Sequence, residues 1–417
     1  MNTGCAGHHI RQDEIFKRTG GGASPMPRLP VLSDRANALK PSLTLEISAR
    51  AKVLQNQGHD ICSLSAGEPD FNTPDFIIEA AQKALRDGVT RYGPAAGSPD
   101  LRAAVAEKLT RENGIPTQPS QVLITNGGKQ AIYNLFQVLL NPGDEVLLPA
   151  PYWLSYPEMA RLAGAKVTVI PTASADGFRL DPSLLEQHIT EKSKLLILNS
   201  PGNPTGHVMS RADLERVVAL MHRYPQLDVM SDEIYEYLLA DGQEHCSFAS
   251  IDEDLLDRCY TVNGFAKGWA MTGWRLGYLA GSEPVIKAAA ALQSQSTSNV
   301  CSFAQRGALA ALQGSRDCVK AMAETYNVRR KLLSEGLRLI DGITLAEPQG
   351  AFYAFPELPD VKGGSMEFCR RALDEKGLAV IPGIAFGNDR CIRLSCAVSH
   401  ETISDGLGRL GDFLRTY

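Results

Sequence analysis

Lys267 has the surroundings of a reactive amine. It sits in Asn263-Gly264-Phe265-Ala266-Lys267-Gly268-Trp269, just after the apolar run 260–262, with Trp274 close behind. An amine held among apolar groups gives up its proton more readily and becomes usable for imine chemistry. Arg275, eight residues later, suits a phosphate. In Ser231-Asp232-Glu233-Ile234-Tyr235, Asp232 closes another apolar run. An unpaired carboxylate is costly there, so it needs a cationic side chain or a ligand nitrogen, unless it serves as a helix cap. Tyr235, three residues on, points a hydroxyl into the same space. Asn199-Ser200-Pro201-Gly202-Asn203-Pro204-Thr205-Gly206 reads as a rigid loop that offers the Asn203 amide. Thr125-Asn126-Gly127-Gly128-Lys129-Gln130 places two glycines at a helix start, where backbone N–H groups and the helix dipole favour an anion. Alone, the Gly127 and Asn203 clusters also read as ordinary turns, and Lys267 as a surface lysine.

The elements that must position these residues follow from hydrophobic patterning. Apolar runs at 122–125, 145–149, 166–170, 194–199, 229–231 and 260–262 predict buried strands, with helical patterns between several of them. Ile132, Leu135, Phe136, Leu139 and Leu140 mark one helix face, and Asn141-Pro142-Gly143-Asp144 stops it. This alternation predicts an α/β chain with a mostly parallel sheet covered by helices on both faces. Ligands bind beyond the carboxyl ends of such strands, where all four clusters lie. A smaller α+β domain is expected from residues 28–65 and 326–417, around a large domain of 66–325. Within it, 350–355 and 391–395 read as strands and about 402–415 as a final helix. Residues 1–27, with Gly20, Gly21 and Gly22, read as a flexible tail.

Composition narrows the function. The chain has 417 residues, with Lys+Arg 42 against Asp+Glu 47 and a net charge of −5, so no basic stripe invites nucleic acid. No apolar stretch approaches about 18 residues, which excludes a membrane-spanning helix. The nine cysteines form no C-x-x-C pair and suit a reducing compartment, the cytoplasm, or a plastid in a plant or alga. A phosphate cradle, an amine, a carboxylate and a tyrosine together match the needs of pyridoxal phosphate. The amine joins the aldehyde and the carboxylate keeps the pyridine nitrogen protonated.

The sequence resembles the class I aminotransferases, pyridoxal-phosphate enzymes of fold type I, from about residue 28 to its end. The motifs Ser65-Ala66-Gly67-Glu68-Pro69-Asp70, Arg91-Tyr92-Gly93, Asn203-Pro204-Thr205-Gly206, Asp232-Glu233-Ile234-Tyr235 and the Lys267 segment occur in the family's order. The resemblance implies a seven-stranded sheet in the large domain, with Lys267 as Schiff-base lysine and proton shuttle. It makes Asp232 the pyridinium partner, Tyr235 and Asn203 partners of the ring hydroxyl, and Trp153 the stacking aromatic. Gly127, Gly128, Lys129 and Arg275 would anchor the phosphate, joined by Tyr92 from the neighbouring subunit of a homodimer. Arg393, with the Gly67 backbone, would clamp the substrate α-carboxylate, and Trp153 and Asn203 would also face substrate. Ala266 and Gly264 depart from the hydroxyl residues many members carry, and Gly127 stands where some have serine. That shifts weight to backbone N–H groups and to Ser298 of the neighbouring subunit.

Within the family the chain resembles prokaryotic-type aspartate aminotransferases and plant-type aspartate–prephenate aminotransferases. Residues 292–305, where another branch supplies an arginine for the distal carboxylate, contain no Lys or Arg. Lys129 is the candidate instead, with Ser42 and Thr44 from Lys40-Pro41-Ser42-Leu43-Thr44. The expected reaction moves an amino group between aspartate or glutamate and a 2-oxo acid such as 2-oxoglutarate, and also makes arogenate from prephenate. Alternatives within the fold are aromatic, alanine or kynurenine aminotransferases and a C–S lyase. No metal is expected.

Overall fold

The structure, a computed structural model, describes residues 31–39 and 43–417; the side chains of residues 38 and 43–45 are not described. The expected tail and Ser42 lie outside the described residues, and Thr44 is placed by its backbone alone. The chain divides into two compact units, Met1–Leu39 and Lys40–Tyr417. In the first, the described residues include one short helix, α1 (Asp34–Ala38), capped by the Ser33 side chain.

The second unit opens with α2 (Leu43–Asn56), β1 (Cys62–Ser63), α3 (Asp75–Arg86) and α4 (Pro99–Glu112). Strands and helices then alternate: β2 (Val122–Thr125), α5 (Gly128–Leu139), β3 (Glu145–Ala150), α6 (Ser155–Leu162), β4 (Lys166–Pro171), α7 (Pro182–Gln187), β5 (Ser193–Asn199), α8 (Arg211–Arg223) and β6 (Asp228–Asp232). After β7 (Cys259–Gly264) and β8 (Gly277–Ala280) come α9 (Glu283–Ser296), α10 (Ser302–Gln313) and α11 (Asp317–Arg338). The last elements are β9 (Tyr353–Ala354), α12 (Gly364–Lys376), β10 (Leu378–Ala379), β11 (Ile381–Pro382), β12 (Ile392–Ser395) and α13 (His400–Leu414).

Strands β2 to β8 form one seven-stranded sheet in the order β2-β8-β7-β6-β5-β3-β4. All neighbours are parallel except those of β8, which runs against β2 and β7. Successive residues serve different cores. Val122 and Ile124 face one cluster, with α4, α8 and α10, while Leu123 faces another, with α5, α6 and α9. That two-sided burial is why the strands read as unbroken apolar runs. A third core joins Leu64 to α11, α12, α13, β9 and β12.

The six predicted strands are present to within two residues at either end. The short β8 was not anticipated, although it carries Arg275 to the site. Helix α11 begins at Asp317, so the region expected to open near residue 326 begins inside a helix. The expected strand 350–355 shrinks to Tyr353–Ala354. Ala351 sits at φ +53°, a left-handed turn that breaks the extended run.

Candidate active site

Strand direction assembles the site. Strands β2, β3, β5, β6 and β7 end on the same edge of the sheet, delivering Gly127, Trp153, Asn203, Asp232 and Lys267 in turn. Antiparallel β8 begins there, and Arg275 lies just before it. A cleft of about 620 Å³ at this edge is lined by these residues and by Gly67, Gly128, Lys129, Tyr235 and Arg393.

Lys267 is half-buried and donates from Nζ to the Gly67 carbonyl at 2.5 Å. Its ammonium lies 5.7 Å from the Tyr235 ring centre and 5.6 Å from that of Phe352. Burial brings its pKa down to about 8, with Arg393 and Arg275 adding to the effect and Glu68 opposing it. The Asp232 carboxylate is buried at 5% exposure, and burial pushes its pKa up to about 6. Two donors resist that rise: Tyr156 Oη at 2.7 Å and the Ile234 N–H at 3.3 Å. Tyr235 shares a hydroxyl–hydroxyl bond of 3.0 Å with Tyr353.

Arg393 is also buried. It donates from Nη1 to Asn203 Oδ1 and from Nη2 to the Ser65 carbonyl, both at 3.1 Å, and stacks on Tyr353 and Phe386. Its Nε is buried with no partner among the described residues. Burial lowers its pKa. With Oδ1 engaged by Arg393, Asn203 keeps its amide N–H groups for a ligand. The Lys129 ammonium sits 4.9 Å over the Trp153 ring, its pKa lowered by burial and by Arg275.

The phosphate end is built of backbone. Helix α5 starts at Gly128 with no side-chain cap, leaving first-turn N–H groups to a ligand. Gly127 has φ +80°, and a Cβ there would press to 2.7 Å from Arg275 Nη2, so glycine leaves the cradle open. A Cβ at Gly264 would lie 2.7 Å from Gly277 Cα, so the missing hydroxyl at that position has a packing cause. A buried acid, a half-buried amine of lowered basicity, an uncapped helix start and an orphaned guanidinium nitrogen together fit a phosphorylated pyridine aldehyde and an amino-acid carboxylate.

Two predicted residues are not gathered into the cleft. Tyr92 is 92% exposed, and Ser298 is exposed at φ +60°. Sequence reasoning overlooked Tyr156 and Tyr353. Tyr156 lies three residues after Trp153, at the start of α6, and the two rings meet edge-on. Tyr353 was visible in Gly350-Ala351-Phe352-Tyr353, but carried no signal that it meets Tyr235.

The family model described as aminotransferase class I and II matches residues 59–410. A Petunia hybrida protein, the bifunctional aspartate aminotransferase and glutamate/aspartate-prephenate aminotransferase, is 46% identical over 398 residues, covering 92% of this chain and 83% of its own. The aspartate aminotransferase of Bacillus subtilis is 40% identical over 393 residues, covering 93% and 99%. The solved structure of Thermus thermophilus aspartate aminotransferase with maleate superposes with a TM-score of 0.88 at 44% identity, covering 92% of this chain and all of that one. The Rhizobium meliloti aspartate aminotransferase gives 0.89 at 35% identity, covering 92% and 99%.

Proposed function

We propose that this chain, which belongs to the class I and II aminotransferase family, moves an amino group between aspartate or glutamate and a 2-oxo acid such as 2-oxoglutarate or oxaloacetate. Prephenate is the further acceptor, giving arogenate. The observation that carries the reading is the convergence of Lys267, Asp232 and Arg393 on one cleft. The names of the relatives support the substrates.

Enzymes of this family use pyridoxal phosphate, which supplies an electrophilic carbon and an electron-withdrawing pyridinium ring. The residues present fit it. Asp232 would hold the ring-nitrogen proton, and Tyr235 and Asn203 would hydrogen-bond the ring hydroxyl. Trp153 would cover a ring face. Gly127, Gly128, Lys129 and Arg275 would receive the phosphate. Arg393 pairs with the substrate α-carboxylate through its planar fork, beside the Gly67 backbone. With the cofactor bound, Lys267 would take the proton from the substrate Cα and deliver it to the carbon that bore the aldehyde, acting as base and then acid in one pocket. A basicity near neutrality suits both roles. The distal carboxylate falls to Lys129, helped by Ser42 and Thr44.

The active unit is a homodimer in which Tyr92 completes the neighbouring subunit's phosphate site; its exposure supports this. The part of the expected small domain within residues 43–65 and 326–417 closes over the substrate carboxylates. No described helix is long and apolar enough to cross a membrane. The cytoplasm, or a plastid, suits the free cysteines.

A panel of amino donors against 2-oxoglutarate and oxaloacetate, with prephenate as an added acceptor, tests the reading. Stoichiometric amino transfer supports it. Release of ammonia without an acceptor contradicts it in favour of a lyase. Lys129→Ala should raise KM for both aspartate and prephenate, and unchanged values would remove Lys129 from substrate binding.

A further inference from the structure

We propose that Tyr156 is a positioning residue that holds Asp232 ionised and correctly turned for the pyridine nitrogen of the cofactor. This rests on the aminotransferase reading above.

Tyr156 is 1% exposed in the core beneath the cleft. Its ring stands edge-on to Trp153, with centroids 5.2 Å apart at 79°. Its hydroxyl donates to Asp232 Oδ2 at 2.7 Å, while the Ile234 N–H donates to Oδ1 at 3.3 Å. Each carboxylate oxygen therefore has one donor, which fixes the plane of the group. The remaining lone pairs are left for a cation in the cleft.

The direction of the effect follows from the chemistry of the pair. A phenol can only donate to an ionised carboxylate, so the bond favours the anion. Tyr156 is itself held protonated, because burial and the facing Asp232 both oppose its ionisation. Four titratable side chains act on or face Asp232. They are Tyr156 from the start of α6, Glu233 next in sequence, Tyr235 from the following turn, and Lys267 from the loop after β7. Burial and Glu233 favour the neutral acid; Tyr156 and Lys267 oppose it. Lys267 is committed to chemistry at the other end of the cofactor, so the Tyr156 hydroxyl is the standing support for the charge.

The test uses the full-length chain freed of cofactor, as wild type and as Tyr156→Phe. The substitution keeps the ring against Trp153 and removes one oxygen. Pyridoxal phosphate is titrated from about pH 5 to about pH 9, with Kd read from tryptophan fluorescence and folding checked by near-ultraviolet circular dichroism. The expected result is near-wild-type affinity at the alkaline end and a penalty that grows on acidification. The acid-side midpoint should rise by about one pH unit, roughly a tenfold weaker Kd near pH 6. A penalty equal at every pH, or none, would overturn the proposal. A cofactor analogue with CH in place of the ring nitrogen should bind both proteins alike; a persisting difference would make the hydroxyl a mere packing support. A wild-type chain that takes up no pyridoxal phosphate would instead overturn the reading beneath.

Discussion

Lys267 shows at the scale of one residue how burial makes a reagent. An ordinary lysine has a pKa of 10.5, and here burial lowers it to about 8. About a tenth of the amine is then neutral at pH 7, where an exposed lysine would have almost none. Covalent capture of cofactor by the cofactor-free chain should rise with pH through a midpoint near 8, as followed by absorbance in a stopped-flow instrument. A midpoint near 10.5 would contradict the burial argument. Lys267→Ala should still hold cofactor through the phosphate cradle and Asp232, yet lose roughly four orders of magnitude in turnover, because base and acid vanish together. Lys267 and Asp232 were legible in the sequence because each type is costly where its neighbours are apolar, whereas Arg393 was legible only through family resemblance. Tyr156 was not legible. Tyrosine is comfortable in a core, and nothing in its own sequence announces the carboxylate 76 positions away.

The elements explain why these side chains meet. The strands of the sheet read directly from apolar runs, and with them the shared edge at which they end. The antiparallel β8 escaped because Gly277–Ala280 opens on a glycine directly behind the Lys267 motif, which drew attention as a loop. Yet β8 is what seats Arg275 beside Gly127. Gly277 lies between Thr125 of β2 and Gly264 of β7. A Cβ on it would come within 2.4 Å of the Gly128 nitrogen and 2.5 Å of the Gly127 carbonyl carbon. Gly277→Ala therefore forces the phosphate cradle away from the sheet. The expected cost is about 2 kcal/mol in chemical denaturation, with weaker cofactor binding as well. Full stability and unchanged cofactor affinity would show that the backbone there yields freely. The left-handed turn at Ala351, which cut a predicted strand short, was invisible because alanine does not advertise positive φ.

For the whole molecule, the cleft as drawn by one chain lacks a contribution assigned to Tyr92, whose side chain stands 92% exposed. Mixing Lys267→Ala with Tyr92→Ala chains tests this. If the tyrosine serves the opposite subunit, each mixed dimer has one intact site, and random pairing restores about a quarter of wild-type turnover. Activity no greater than the average of the two parents would place Tyr92 with its own subunit. No sequence period reveals which surface is shared, so the proposal of a shared site rests on family resemblance. The central claim remains a covalent one, made by a single amine in a 417-residue chain. Its most direct test is borohydride reduction of the cofactor-loaded protein followed by peptide mass mapping. The account predicts a pyridoxyl-phosphate mass on Lys267 and on no other residue; a label elsewhere, or none, would contradict it.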